Sequence, residues 1–168
     1  MFSIIVATDT SGGIGYHNNY DWQIPWKNKT DMKYFKNITI NHNVIMGRTT
    51  YFTLPNGFLK DRTNIVITSN PSLITNNDVI CFLTLNDALE FCSNTSCKTF
   101  VIGGAQLYTE ALCNPNLDKL YWNIIRNDTK PCNIMFPVSI DIVLKMYNTK
   151  SFIITDDIIY YIFTRQKN

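Results

Sequence analysis

Thr99-Phe100-Val101-Ile102-Gly103-Gly104-Ala105-Gln106-Leu107-Tyr108 reads as a buried strand running into two glycines and then a helix. The near-continuous apolar run before the glycines is expected of a strand covered on both faces. Without a Cβ, Gly103 and Gly104 would let the backbone approach a pyrophosphate closely and adopt conformations barred to other residues. A bare strand-to-helix turn gives the same string, so the glycine pair alone leaves both readings open.

Val44-Ile45-Met46-Gly47-Arg48-Thr49-Thr50 repeats the pattern of strand, glycine and helix start. Arg48 and the two hydroxyls beside it suit a phosphate monoester, although a lone arginine is equally an ordinary solvated surface charge. Two such turns at the carboxyl ends of strands would let a dinucleotide straddle a parallel sheet. Neither turn is G-x-G-x-x-G, which disfavours an ordinary Rossmann dehydrogenase.

Further out, Ile4 to Ala7, Asn43 to Met46 and Asn64 to Thr68 are also apolar or β-branched runs. Helix-like stretches lie between the strands at Thr30 to Asn37, Leu85 to Cys92 and Ala105 to Cys113, with Asn86-Asp87 as N-cap material for the second. This alternation implies right-handed crossovers and a largely parallel sheet. The tail differs. Leu117 to Arg126, Ser151 to Thr155 and Ile158 to Arg165 look like strands with no convincing helix between them, so an antiparallel finish is expected. The predicted fold is α/β: one domain over residues 1–168, with a mostly parallel twisted sheet of about eight strands and about four flanking helices.

Composition narrows the function. Hydrophobic residues make up 45% of the 168, enough for a sizeable core, and a net charge of +2 gives no strong attraction for nucleic acid or a membrane surface. Five cysteines without a C-x-x-C pair, and two histidines distant from them in sequence, argue against a zinc site or a disulfide scaffold. No metal is expected. The N-terminus lacks a basic region and its apolar run is short, so a reducing, cytoplasmic compartment is expected.

The remaining chemical candidate is Trp22-Gln23-Ile24-Pro25-Trp26-Lys27-Asn28-Lys29-Thr30-Asp31-Met32-Lys33-Tyr34-Phe35. Asp31 falls in the first turn of a helix, four residues before Phe35 and on the same general face. It is either an ordinary N-terminal helix charge stabilised by the dipole, or a carboxylate facing an apolar pocket. In the second case desolvation raises its pKa and it pairs with a flat, amidine-like nitrogen heterocycle.

In order along the chain, Ile4-Ile5-Val6-Ala7, Gly13-Ile14-Gly15, Ile24-Pro25-Trp26 with Asp31 and Phe35, and Val44 to Thr50 are followed by Leu54-Pro55, Leu59-Lys60-Asp61-Arg62-Thr63-Asn64, Val101 to Tyr108, Leu120-Tyr121 and Phe136-Pro137. This series resembles dihydrofolate reductase over nearly the whole chain. The resemblance implies reduction of 7,8-dihydrofolate to tetrahydrofolate by NADPH, supporting thymidylate and one-carbon metabolism. Hydride would reach C6 of the pterin, and N5 would take a proton from water.

The resemblance also implies roles. Asp31 would hold the 2-amino and N3 groups of the pterin, and Trp26 would order the nearby water. Ile5, Val6 and Ala7 would border the slot, with the carbonyls of Ile5 and Ile102 flanking it and Tyr108 near the nicotinamide. Met32, Phe35, Leu54 and Leu59 would sandwich the pterin and benzoyl rings, and Arg62 would grip the glutamate tail. For NADPH, Gly103, Gly104 and Ala105, followed by Gln106 and Leu107, would form one turn and Gly47, Thr49 and Thr50 the other. Arg48, Thr68 and Ser69 would meet the 2′-phosphate, and Ala7, Ile14 and Gly15 would lie along the cofactor. The family's usual form is a monomer.

Departures from the family pattern are local. Tyr16 to Gln23 reads as an insertion in the mobile active-site loop, a change that costs little because loop entropy grows slowly with length. Asn123 stands where the family usually has a threonine bridging the acid and the pterin amino group. Asn133-Ile134 replaces an Asp-Thr pair, which is expected to remove a hydrogen-bonding partner of the loop. Ser69-Asn70 supplies no second arginine, so a milder preference for NADPH over NADH is expected. Two other readings are a fold-related pyrimidine reductase of riboflavin synthesis and a catalytically silent nucleotide-binding relative. Asp31 with Arg62 has no obvious use in the first, and an inert relative need not keep Trp26, Asp31, Arg62 and both glycines.

Overall fold

Strands that are apolar at nearly every position form the middle of the sheet, because only there are both faces covered. The computed structural model describes residues 1–18, 22–127 and 130–165. In chain order the elements are β1 (Phe2–Asp9), β2 (Gly13–His17), β3 (Trp22–Gln23), α1 (Lys29–Thr39), β4 (Asn43–Gly47), α2 (Arg48–Thr53), β5 (Thr63–Ile67), β6 (Val79–Phe82) and α3 (Leu85–Ser93). They continue with β7 (Thr99–Gly103), α4 (Ala105–Cys113), β8 (Leu117–Ile125), β9 (Ile134–Met135), α5 (Ile140–Met146), β10 (Tyr147–Ile154) and β11 (Ile158–Arg165).

The main sheet has eight strands in the order β10-β11-β8-β1-β7-β4-β5-β6. From β8 to β6 every neighbouring pair is parallel; β11 runs antiparallel to both β8 and β10. The sheet is therefore mixed, with its antiparallel part confined to the C-terminal strands. A small second sheet, β3-β2-β9, lies beside it and carries the inserted segment, of which residues 19–21 fall outside the described residues.

Two local expectations change. The cap of α3 is Thr84, whose hydroxyl oxygen accepts the Asp87 N–H at 3.2 Å while its O–H donates to the Asp87 carboxylate at 2.6 Å. Thr and an acid three residues on form a reciprocal cap, so Asn86-Asp87 lies inside the helix rather than at its start. The tail also contains a helix, α5, held by one buried side chain, Val143, with Ser139 at its N-cap. Its β-branched Ile140, Ile142 and Val143 have poor helix propensity, and tertiary packing overrides them.

Candidate active site

Asn28 starts the site by capping α1: its side-chain oxygen accepts the Asp31 N–H at 3.0 Å. The cap fixes the first turn of the helix and leaves Asp31 on the face toward the sheet, where it is buried. Opposite it, β8 presents Asn123, in register with Ala7 of β1 and Tyr160 of β11. Asn123 is fully enclosed at 2% exposure, and its Nδ2 donates to Asp31 Oδ1 at 2.8 Å. Burial pushes the Asp31 carboxyl above its ordinary value, with the Asn123 hydrogen bond pulling the other way. The slot thus holds one desolvated carboxylate rather than a solvated helix-end charge.

Aromatic side chains form the walls. Trp26 is buried with Ile125 and Ile158, and half-buried Ala7, Cys132 and Tyr160 pack against them. Tyr34, one helical turn beyond Asp31, packs on Tyr160 with ring centroids 4.7 Å apart. Burial, and then the charges of Tyr121, Tyr160 and Asp31, raise Tyr34 to about 12. Tyr108 is buried, and its hydroxyl donates to the Ile5 carbonyl at 2.9 Å. Burial first and the Asp31 charge second keep that phenol protonated. Tyr34 and Tyr160 were not singled out by sequence, although the i+3 spacing of Tyr34 from Asp31 was a usable signal.

Moving along α1, Phe35 lies half-buried beneath the Arg62 guanidinium, whose carbon is 5.6 Å from the ring centroid. Arg62 Nε donates to Thr39 Oγ1 at 2.8 Å and Nη1 to the Lys60 carbonyl at 3.0 Å, which fixes the fork. Leu54, Leu59 and Ile102 are partly buried against a common cluster around Val44, Met46, Tyr51 and Val66. Met32 is 64% exposed. Val6 packs into the main core, so only its backbone can face the slot.

The two glycine turns lie side by side because β4 and β7 are parallel neighbours. A Cβ on Gly47 would come within 3.7 Å of the Gly104 nitrogen. Gly103 has φ +133°, a region L side chains rarely adopt, and a Cβ on Gly103 or Gly104 would sit 3.3 Å from Thr50 Oγ1. The Gly103–Gly104 peptide is cis. Arg48, Thr49, Ser69 and Gln106 are exposed and Thr50 and Ala105 half-buried around these turns. Thr68 is buried, and its hydroxyl oxygen accepts the Asn70 N–H at 3.0 Å. Leu107 packs in the main core and Ile14 against it, while Gly15 is buried beside Ile134.

One expectation is reversed. Asn133 does bond the segment that follows the first glycines: its Oδ1 accepts the His17 N–H at 2.8 Å and its Nδ2 donates to the His17 carbonyl at 2.7 Å.

The model of the family described as dihydrofolate reductase matches residues 1–163. The chain belongs to the dihydrofolate reductase family. It is 38% identical to the dihydrofolate reductase of Pneumocystis carinii over 156 residues, 81% of this chain and 73% of that protein. It is 39% identical to that of Bacillus subtilis over 128 residues, 76% of this chain and 71% of the other. The bifunctional dihydrofolate reductase-thymidylate synthase of Paramecium tetraurelia is 35% identical, but the match spans only 27% of that protein. Among solved structures, the Enterococcus faecalis dihydrofolate reductase complexed with NADP(H) and RAB-propyl superposes with a TM-score of 0.84 at 25% identity. That match covers 99% of this chain and 97% of the other.

Proposed function

We propose that the chain catalyses NADPH-dependent reduction of 7,8-dihydrofolate to 5,6,7,8-tetrahydrofolate in the Asp31 slot. The observation that carries this reading is the Asp31–Phe35–Arg62 track along α1: a buried carboxylate, an aromatic face and a fixed guanidinium in that order. Dihydrofolate has the complementary sequence, a donor-rich pterin edge, an aromatic ring and an anionic tail.

Asp31 holds the pterin by its 2-amino and N3 groups. Buried and bonded to Asn123, its ionised form is available to favour the N5-protonated substrate, while N5 takes its proton from a water that Trp26 orders. Tyr108 holds the Ile5 carbonyl at a fixed height on the slot wall. Phe35, Leu54 and Leu59 supply a dry surface for the rings, and Arg62 supplies charge at the tail.

The glycine turns fit a dinucleotide, since side chains at positions 103 and 104 would press on Thr50 and fill the space a pyrophosphate needs. NADPH, when bound there, supplies the hydride that pterin C6 receives. Arg48, with Ser69 nearby in the family pattern, would meet the 2′-phosphate, and Thr49 and Thr50 would meet the diphosphate.

The riboflavin-type pyrimidine reductase is disfavoured because its phosphate-bearing pyrimidine has no aromatic-plus-carboxylate tail for Phe35 and Arg62. No helix among the described residues is long and apolar enough to cross a membrane. The reading takes the chain as a cytoplasmic monomer, in keeping with five unpaired cysteines. The test is loss of reduced-nicotinamide absorbance that requires dihydrofolate; equal consumption with a ribitylamino-pyrimidine phosphate would transfer the assignment.

A further inference from the structure

Asn64 is a polar side chain in an apolar setting. It is 1% exposed near the start of β5, and its cross-strand neighbours Val44 and Val79 belong to the cluster that Leu54 and Leu59 pack against. Its amide turns back onto the preceding loop. Oδ1 accepts the Leu59 N–H at 2.8 Å, while Nδ2 donates to the Leu59 carbonyl at 2.9 Å and to the Arg62 carbonyl at 3.1 Å. Both amide hydrogens are thereby used, and Leu59 meets the side chain as it would meet a neighbouring strand. Residues 59–62 belong to no helix or strand. Their path, which turns through Asp61 at φ +60°, is instead set by these bonds and by the Asn41 N–H, which donates to the Asp61 carbonyl at 2.8 Å.

We propose that Asn64 is a positioning residue: enclosed and away from the ligand, it holds Leu59 and Arg62 together and so sets the preference for a substrate with an aromatic, anionic tail. The inference rests on the assignment of Leu59 and Arg62 to that tail and names the group that places them. The Arg62 fork is oriented by a second anchor. Thr39 Oγ1 accepts from Arg62 Nε at 2.8 Å while its O–H donates to the Phe35 carbonyl at 2.7 Å. Thr39 can reach the guanidinium only if the Arg62 backbone stands where Asn64 fixes it. The pterin end of the slot, at Trp26 and Asp31, is carried by other elements and does not depend on this clasp. An aspartate at position 64 would keep the bond from the Leu59 N–H but set an oxygen against two carbonyls, which opens the clasp with almost no change of volume.

The test compares 7,8-dihydrofolate with 6-methyl-7,8-dihydropterin, which has the reducible ring and no tail, in Asn64→Asp and Asn64→Ser. The quantity read is the ratio of kcat/KM for the two substrates, which does not depend on the fraction of a destabilised variant that is folded. Both variants should lower the ratio by about tenfold or more, mainly through KM for dihydrofolate, the scale of a displaced charge-assisted hydrogen bond. A ratio equal to that of the wild type would make Asn64 a purely structural amide and overturn the inference. Arg62→Leu should lower the ratio by itself, and adding Asn64→Asp to it should cost less than in the wild-type background. A second loss of full size would overturn the coupling. If Arg62→Leu leaves the ratio unchanged, the tail assignment itself fails, whatever Asn64 does.

Discussion

The side chain of Asn133 grips the backbone of His17 at both polar atoms, accepting its N–H at 2.8 Å and donating to its carbonyl at 2.7 Å. Just before this, Ile134 pairs with Gly15 and the Asn133 N–H donates to the Gly15 carbonyl at 3.1 Å. The amide thus acts as the next peptide group of β9, extending its ladder along β2 where the strand itself has ended. An aspartate could accept but not donate here.

Asn133→Ala should leave the fold intact while loosening the start of the inserted segment. Each of the two lost hydrogen bonds is worth a net of about 1 kcal/mol, so exchange of the His17 amide should accelerate by about 5- to 30-fold. Hydrogen exchange followed by NMR checks this; unchanged protection would show that the clasp carries no weight.

Asp31 is expected to oppose stability at neutral pH. Burial raises its folded-state pKa above the ordinary 3.8, so the folded protein binds the proton more tightly than the unfolded chain. The associated stability is fully present below the unfolded value and is lost as pH rises through the folded one. Asp31→Asn should therefore raise Tm at pH 7, by about 2–4 °C for each kcal/mol relieved, with the gain shrinking as pH falls into the acid range. Thermal unfolding across that range checks the sign.

Asp9 behaves in the opposite way. Burial acts to raise it, but bonds from the Ser11 hydroxyl, Cys132 and the Gly13 and Ser11 amides together outweigh burial and lower it. Its contribution is present above the unfolded pKa and is lost as pH falls through the folded value. Asp9→Asn should cost about 1–3 kcal/mol in urea unfolding at pH 7, with the difference from wild type closing in strong acid.

Arg48 is the charge assigned to the 2′-phosphate. Arg48→Leu should raise KM for NADPH by about 10- to 100-fold, the worth of a charge-assisted hydrogen bond. KM for NADH should hardly move, since NADH lacks that group. Steady-state kinetics with both cofactors decide it, and equal losses with the two would remove the assignment.

The sheet centre was legible because β4 and β7 are buried on both faces and so are apolar at consecutive positions, a pattern no surface element shows. Spacing put Asp31 and Phe35 on one general face of α1 but left the acid open between a helix-end charge and a pocket carboxylate; its burial against Asn123 came from the fold. What escaped were features set by tertiary context. α5 forms against its own propensities, β6 is a four-residue strand of half-buried residues, and the Asn133 clasp depends on a partner 116 residues away. Residue type misled there: replacing an acid looked like a loss, but an amide supplies the donor an acid lacks. The Asn123–Asp31 contact, 92 residues apart in sequence, was expected from the resemblance rather than from spacing, and the direction of its amide emerged from the packed slot.

The most direct test is the pH profile of dihydrofolate-dependent NADPH oxidation for wild type and Asp31→Asn. The account predicts a loss of about 10²-fold or more in the variant near neutral pH, the scale of a missing general acid–base contribution. It also predicts partial recovery as falling pH protonates the substrate without help. An Asp31→Asn enzyme with the wild-type rate and pH profile would contradict it.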